Sequence, residues 1–167
     1  MTKKITTLAI LAAVAIIIAY IERLFPLPIP IPGVKLGLTN VVVIVALYTM
    51  GTRAALGISI LRIVVTGLLF GSVFGMAYGL VGGLLSFAVM LAAKRSNIFG
   101  IVGISVFGGV FHNVGQIAVA AIIVQNIRLF YYAPMLIIAG IVAGIAVGYA
   151  AGLTLHRLQS VFHKHFG

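Results

Sequence analysis

Acidic residues are almost absent from this chain, which has no aspartate and a single glutamate, Glu22. The lack of aspartate excludes an Asp-rich motif that could hold a cluster of Mg²⁺ ions. The lack of cysteine excludes disulfides, thiolate metal sites and a cysteine nucleophile. There is no Walker A sequence or other phosphate-cradling loop, so the chain cannot hydrolyse ATP. Charged residues of both signs make up only 7% of the chain, against roughly a quarter in a soluble domain, so its surface must face something other than water.

Apolar sequence is what the chain has in abundance. Hydrophobic residues make up 63% of it, in long runs rather than at amphipathic spacing, and a spanning helix needs about 20 mostly apolar residues. Polar and Pro/Gly breaks leave six such stretches, at about residues 5–21, 36–50, 54–70, 74–93, 98–124 and 133–155. We therefore expect an all-α bundle of six transmembrane helices, forming a single integral membrane domain over residues 1–167 within the lipid bilayer. Lys3 and Lys4 before an apolar run also suit a signal peptide, but no small-residue cleavage site follows, so we expect a retained helix.

The basic residues predict how the bundle is oriented. If both termini are cytoplasmic, seven lysines and arginines lie at inner helix ends and three at outer ends, a clear positive-inside bias. The formal net charge of +10 could suggest nucleic acid binding, but the charges are scattered at helix ends rather than gathered on one face. Anionic lipid headgroups account for most of them. We expect a multi-pass protein of the cell membrane with no nucleic acid partner.

Small residues recur at four-residue spacing in several spans, where they allow close approach of membrane helices. The two glycine series are Gly71, Gly75, Gly79, Gly83 and Gly140, Gly144, Gly148, Gly152. Most of these residues are expected to pack the helices of the bundle together. One small-residue stripe could instead contact a partner membrane protein, and the best candidate is Ala9 with Ala13 on the first helix.

A segment with alternating prolines, residues 26–35, links the first two predicted spans and is called the proline strap below. Because proline fixes φ and has no amide donor, this segment should be extended and stiff. Apolar Leu27, Ile29 and Ile31 alternate with the prolines. A rigid connector at the membrane interface and a lid over an outward-facing pocket both fit this pattern.

The segments around the proline strap resemble the signature of the Gx transporter family, whose members are often labelled heptaprenyl diphosphate synthase component I. The matching runs are Ile21-Glu22-Arg23, the alternating prolines, Pro32-Gly33-Val34-Lys35-Leu36-Gly37-Leu38-Thr39-Asn40, Leu61-Arg62-Ile63 and Gly67-Leu68-Leu69-Phe70-Gly71. The resemblance covers essentially the whole chain. More distantly, the family is similar to the substrate-binding S components of energy-coupling factor (ECF) transporters.

The likeness to S components implies six helices with both ends cytoplasmic and a first extracellular loop that gates a pocket. It also implies coupling and ATPase subunits as partners, which meet an A-x-x-x-A motif on the first helix that Ala9 and Ala13 match. The synthase label conflicts with chemistry, because prenyl chain elongation needs Mg²⁺ held by Asp-rich motifs. Without aspartate, the chain could be at most an accessory subunit of a synthase. We expect no catalytic activity and no cofactor.

Arg62 lies in the middle of the third predicted span. An arginine there costs at least about 2.5–3.5 kcal/mol on the insertion scale, so it should face the bundle interior or a wet cavity. It could be a structural arginine bound to backbone carbonyls, or it could bind a carboxylate or phosphate of a substrate through its bidentate fork. Glu22 is the only acid that could neutralise it, and we expect Glu22 at the outer boundary beside Arg23. This favours the role in substrate binding.

Several polar residues are predicted at one depth in the outer half of the membrane. His112, Asn113 and Gln116 lie near one face of the fifth span, and Asn40 lies early in the second. A single such residue usually makes an interhelical hydrogen bond, but four together beneath basic outer loops favour a pocket. The predicted substrate-binding residues are Lys35, Asn40, Arg62, His112, Asn113, Gln116 and Arg128. A metal site at His112 is not expected, since the other histidines lie at the opposite end.

Three functions remain open from the sequence. The first is an S-component-like subunit that captures a small anionic or amphipathic molecule from outside and depends on partner ATPases for transport. The second is an accessory membrane protein of isoprenoid or quinone metabolism. The third is a secondary carrier acting alone, which is weakened by the lack of buried acids for ion coupling and of evident inverted repeats.

Overall fold

The computed structural model describes residues 2–24, 37–71 and 73–166, with side chains for 4–22, 24, 37–71 and 73–158. These residues form six α-helices, one 3₁₀ helix and no strand. The α-helices are α1 (Thr2–Leu24), α2 (Asn40–Thr49), α3 (Thr52–Phe70), α4 (Val73–Arg95), α5 (Ile101–Val124) and α6 (Ala133–Phe166). The 3₁₀ helix, Ile127–Tyr132, joins α5 to α6. Each α-helix overlaps its predicted span, but α2 begins at residue 40 rather than 36, and α6 continues beyond the predicted end of its span.

Five of the described helices are long and apolar enough to cross a membrane, and α2 is the shorter exception. Many large apolar side chains on the long helices face outward, including Leu68, Ile122 and Val142, which are 73%, 75% and 63% exposed. Such a surface is stable against lipid tails but not against water. The described part of the chain therefore fits a multi-pass helical membrane protein.

The second helix begins later than the predicted residue 36. It is ten residues long, which corresponds to about 15 Å, or half of a hydrocarbon core of about 30 Å. Leu36 lies outside the described residues, and Gly37 has φ of +69°, in the left-handed region that ends regular helix. At the other end of α2, the Lys94 ammonium donates to the carbonyl of Leu47 (2.6 Å) and lies 4.2 Å from the centroid of the Tyr48 ring. A basic side chain at the last carbonyls of a helix stabilises that terminus.

Successive helices run in opposite directions, so the bundle has two distinct ends. We call the end that holds Glu22 and Gly37 the strap end, because the proline strap lies between them in the sequence. There, Tyr20 of α1 contacts Phe70 of α3, with 4.8 Å between the ring centroids. We call the opposite end, which holds Lys4, Lys94 and His156, the basic end. Lys4 and His156 line one groove, so α1 begins at the same end at which α6 passes His156.

The short helix α2 forms the centre of the core. Six consecutive residues, 42–47, are buried, so α2 is covered on every side. It packs against α1, α3 and α6. Its neighbours in the core include Ala15, Ile58 and Ala151, each at most 1% exposed. An apolar helix buried all round is typical of the centre of a bundle.

Glycines bring α5 and α6 into close contact. A Cβ on Gly140, Gly144 or Gly148 would lie 2.6 to 2.9 Å from backbone atoms of α5. Such distances would force the two helices apart, so glycine is required for this approach. At the fourth member of the series, Gly152, an added Cβ would have nothing within 4 Å, so this glycine does not serve the contact.

Candidate functional site

A cavity of about 280 Å³ lies at the strap end, between α1, α3, α4, α5 and the turn that precedes α2. Its walls combine four groups that carry charge or strong hydrogen-bonding capacity with apolar and small side chains. The lining residues are Ala19, Glu22, Thr39, Arg62, Ile63, Thr66, Gly67, Phe70, Gly71, Gly75, Met76, Gly79, His112 and Gln116. Three of the predicted substrate-binding residues, Arg62, His112 and Gln116, meet here.

Arg62 projects from the middle of α3 into this cavity. Its Nη2 donates to the side-chain oxygen of Asn40 at 3.3 Å. Its Nε is buried and has no hydrogen-bond partner among the described residues. A guanidinium has five N–H donors, and an unsatisfied buried donor costs about 1–3 kcal/mol, more when it is charged. Asn40 thus holds one edge of the guanidinium, while Arg62 itself lines the cavity.

Glu22 lines the same cavity from the end of α1. Its carboxylate accepts hydrogen bonds from the backbone N–H of Gly37 and from the hydroxyl of Thr39, the latter at 3.2 Å. It also interacts electrostatically with Arg62. The sequence predicts Glu22 at the outer boundary beside Arg23, and Glu22 is not among the predicted site residues. The signal that could have found it is the presence of one acid and one mid-membrane arginine in the same chain.

The contact between α4 and α5 places His112 and Gln116. A Cβ at Gly82 of α4 would lie 2.7 Å from the carbonyl oxygen of His112 and 3.0 Å from Cγ of Gln116. Glycine at this position lets the two helices approach closely beside the cavity. His112 and Gln116 are four residues apart, so both side chains reach the cavity from one face of α5.

Asn113 lies on a different side of α5 from the large cavity. It is 4% exposed, and its Nδ2 donates to the carbonyl of Leu136 in α6 at 2.8 Å. This is the interhelical hydrogen bond that is expected of a single polar residue in a span. Asn113 also lines a second cavity of about 20 Å³, beside Asn40, Ser105 and His112. That volume suits a single water molecule, so a direct contact between Asn113 and a substrate stays a prediction.

The model of one protein family, described as heptaprenyl diphosphate synthase component I, matches residues 11–154. The chain belongs to this family. The match spans every residue that lines the large cavity, and it confirms the family label that the motifs around the proline strap indicated. No curated protein and no solved structure matches the chain. The more distant likeness to S components of ECF transporters stays a prediction.

The remaining predicted residues of this family member lie away from the cavity or outside the described residues. Arg128 is exposed in the 3₁₀ helix, where its backbone N–H donates to Oδ1 of Asn126 at 3.0 Å. It does not line the large cavity. Lys35 lies outside the described residues. Substrate contacts by these two residues stay predictions.

The predicted partner-binding residues on α1 lie on its outer face. Ala9 and Ala13 are exposed, whereas Ala12 and Ala15 are buried in the core. The small residues of α1 therefore divide between two sides of the helix. One pair packs the bundle, and the other is accessible to lipid or to a second membrane protein.

The cavity lining around Arg62 combines hydrogen-bonding groups with an apolar wall. Arg62, His112 and Gln116 offer hydrogen-bond donors, while Phe70 and Met76 supply an apolar wall. A small molecule with one negatively charged group and an apolar body would satisfy both parts of this lining.

Proposed function

We propose that this chain is the substrate-binding subunit of a membrane transporter and binds a small anionic or amphipathic molecule at Arg62. The observation that carries the proposal is that the guanidinium of Arg62 lines a cavity of about 280 Å³ inside the bundle, beside His112 and Gln116. Placing a charged side chain within the membrane costs free energy, so such a residue is expected to have a functional role. The volume is close to the lower limit for small-molecule pockets, which is about 300 Å³.

Glu22 narrows the class of ligand. The Glu22 carboxylate already offsets part of the positive charge of Arg62, so Glu22 repels an anion that binds beside Arg62. The hydrogen bonds from Gly37 and Thr39 compensate part of this negative charge. A ligand with a single negative charge, such as a carboxylate, is therefore favoured over a polyanion.

The proposal includes an orientation, in which the strap end faces outward and the basic end faces the cytoplasm of the cell. The positive-inside bias supports it, and α2 then completes a sixth, short crossing. Two isoleucines at opposite ends, Ile98 and Ile127, are 79% and 75% exposed. Since the chain has no native cysteine, Ile98→Cys and Ile127→Cys each carry a unique label. An impermeant maleimide on whole cells should react at 127 and not at 98, and the reverse result or equal labelling would overturn the orientation.

We also propose that the chain is not an enzyme and that transport requires a separate energising module. The sequence has neither aspartate for a Mg²⁺ cluster nor a nucleotide-binding motif. The exposed Ala9 and Ala13 are the proposed contact with coupling and ATPase subunits. The second candidate is an accessory membrane component of a prenyl diphosphate synthase, which the description of the family favours.

Affinity purification of the chain from its native membrane in mild detergent separates these candidates. Coupling and ATPase subunits in the eluate would support the transporter subunit. A soluble prenyl synthase in their place would support the accessory role and contradict the transporter proposal. If neither copurifies while the purified chain alone transports a ligand into vesicles, it is a solitary carrier.

A further inference from the structure

A second concave site lies at the basic end, far along the bundle from Arg62. It is an open groove of about 980 Å³ between α1, the end of α2, the start of α5 and α6. Among the described residues, α1 packs on α2 and α3 but hardly on α6, and the groove fills the space between these two helices. Its lining is mostly apolar and includes Leu11, Val45 and Leu155. None of its lining residues belongs to the large cavity.

Gly152 shows that the groove is not a packing contact between helices. It continues the series of glycines on α6, yet a Cβ there would meet nothing within 4 Å. The three preceding glycines of the series all touch α5. Gly152 instead leaves the backbone of α6 open to the groove, which gives a slender apolar chain access to the helix surface.

The rim of the groove carries positive charge without a compensating acid. Lys4 and His156 both line it and are exposed. Glu22 is the only acidic residue of the whole sequence, and it lies at the strap end. A lysine ammonium is a compact point charge that binds phosphate well, and imidazole can donate a further hydrogen bond.

We propose that this groove is a specific site for an anionic membrane phospholipid. One acyl chain lies along α6 past Gly152, and the phosphate contacts Lys4 and His156. We infer a phospholipid for two reasons. Its phosphate complements the basic rim of the groove, and the surrounding bilayer supplies phospholipids at this depth. This site does not depend on the proposed function of the cavity around Arg62.

The test measures lipid retention on the full-length chain. The protein is purified in mild detergent, incubated with phosphatidylglycerol or phosphatidylcholine, and examined by native mass spectrometry. The wild type should retain one phosphatidylglycerol in preference to phosphatidylcholine. Lys4→Gln should weaken phosphatidylglycerol binding about fivefold, the effect of one lysine at an anionic surface. His156→Gln should weaken it less, because the imidazole contributes a hydrogen bond. Arg95→Gln is the matched control, because Arg95 is exposed at the same end but does not line the groove, and it should retain the lipid.

A second pair of variants tests the apolar part of the site. Gly152→Phe places a ring in the groove and should abolish retention of the lipid. Leu153→Phe is the control and should keep the lipid, because Leu153 faces outward and is 52% exposed. Gly152→Leu serves as the milder filler if the phenylalanine variant unfolds. Equal retention of both lipids by the wild type, or no effect of Lys4→Gln and His156→Gln, would overturn the proposal. Loss of a copurified membrane protein from Gly152→Phe without loss of lipid would show instead that the groove receives a partner helix.

Discussion

Replacing Arg62 tests whether its guanidinium binds an anion in the cavity at the strap end. Arg62→Met keeps a long side chain in α3 but removes the charge and all its donors. Arg62→Lys keeps the charge but not the planar fork. The hydrogen bond from Arg62 to Asn40 is lost in the first variant and weakened in the second.

The expected loss of affinity follows from the donors that remain available in the wild type. A hydrogen bond that involves a charged group contributes about 1.5–3 kcal/mol, so a bidentate contact with a carboxylate contributes about 3–6 kcal/mol. At tenfold per 1.4 kcal/mol, Arg62→Met should weaken binding by roughly 100- to 10,000-fold. Arg62→Lys, which can keep one charged contact, should lose roughly 10- to 100-fold. Arg62→Lys should stay folded because it keeps the positive charge beside Glu22.

The assay is thermal unfolding in mild detergent with a panel of small monoanions, from acetate and benzoate to short alkyl sulfonates. A ligand at 100 times its Kd stabilises the folded state by about 2.7 kcal/mol, which gives a measurable rise in Tm. The wild type should respond to at least one monoanion with an apolar body, Arg62→Met should lose that response, and Arg62→Lys should keep only a reduced one. An unchanged response in Arg62→Met would refute the anchoring role. Unfolding of Arg62→Met with normal binding by Arg62→Lys would assign Arg62 a structural role.

Three further predictions use the same unfolding assay and the affinity purification described above. Glu22→Ala leaves a backbone N–H and a buried hydroxyl without their acceptor and should lower the free energy of unfolding by about 2–4 kcal/mol. Glu22→Gln keeps an acceptor oxygen and should lower it by about half as much. An unchanged Tm in both variants would contradict this link between α1 and α2. The double variant Ala9→Trp with Ala13→Trp should block copurification of partner subunits but keep the anion response, because both residues are exposed. Loss of the anion response would show that Ala9 and Ala13 pack within the bundle. Gly140→Ala puts a Cβ 2.9 Å from backbone atoms of α5 and should cost about 1–3 kcal/mol. Gly152→Ala, with open space around its Cβ, is its control, and equal effects of the two glycine variants would contradict the packing argument.

The helical architecture was predictable because a membrane leaves few alternatives for long apolar runs. Every backbone polar group must be satisfied within the segment, so an apolar run long enough to span forms a helix. The start of α2 was not predictable in this way. The turn before α2 is joined to α1 by a hydrogen bond between Glu22 and Gly37, which are fifteen residues apart in the sequence. Hydropathy contains no information about such a contact.

The candidate site was predictable in its residue types but not in its geometry. Arg62, His112 and Gln116 meet around one cavity. Asn113 follows His112 directly, and successive helical residues point about 100° apart. The sequence alone could not decide which of the two faces the cavity, because the answer depends on where α6 presents the carbonyl of Leu136. The packing of α5 between α4 and α6 determines which way the His112 and Asn113 side chains point.

Arg62 and Glu22 line one cavity, and neutral groups hold each of them in the described part of the chain. A buried ion pair offsets the cost of desolvation only when its geometry is close and its remaining hydrogen bonds are made. In the described part of the chain, the two side chains do not hydrogen-bond to each other: Arg62 binds Asn40, and Glu22 binds Gly37 and Thr39. All three of these partners lie in the short stretch that begins α2. The described contacts therefore hold both charges through neutral groups, which is the arrangement that the proposed anchoring role of Arg62 requires.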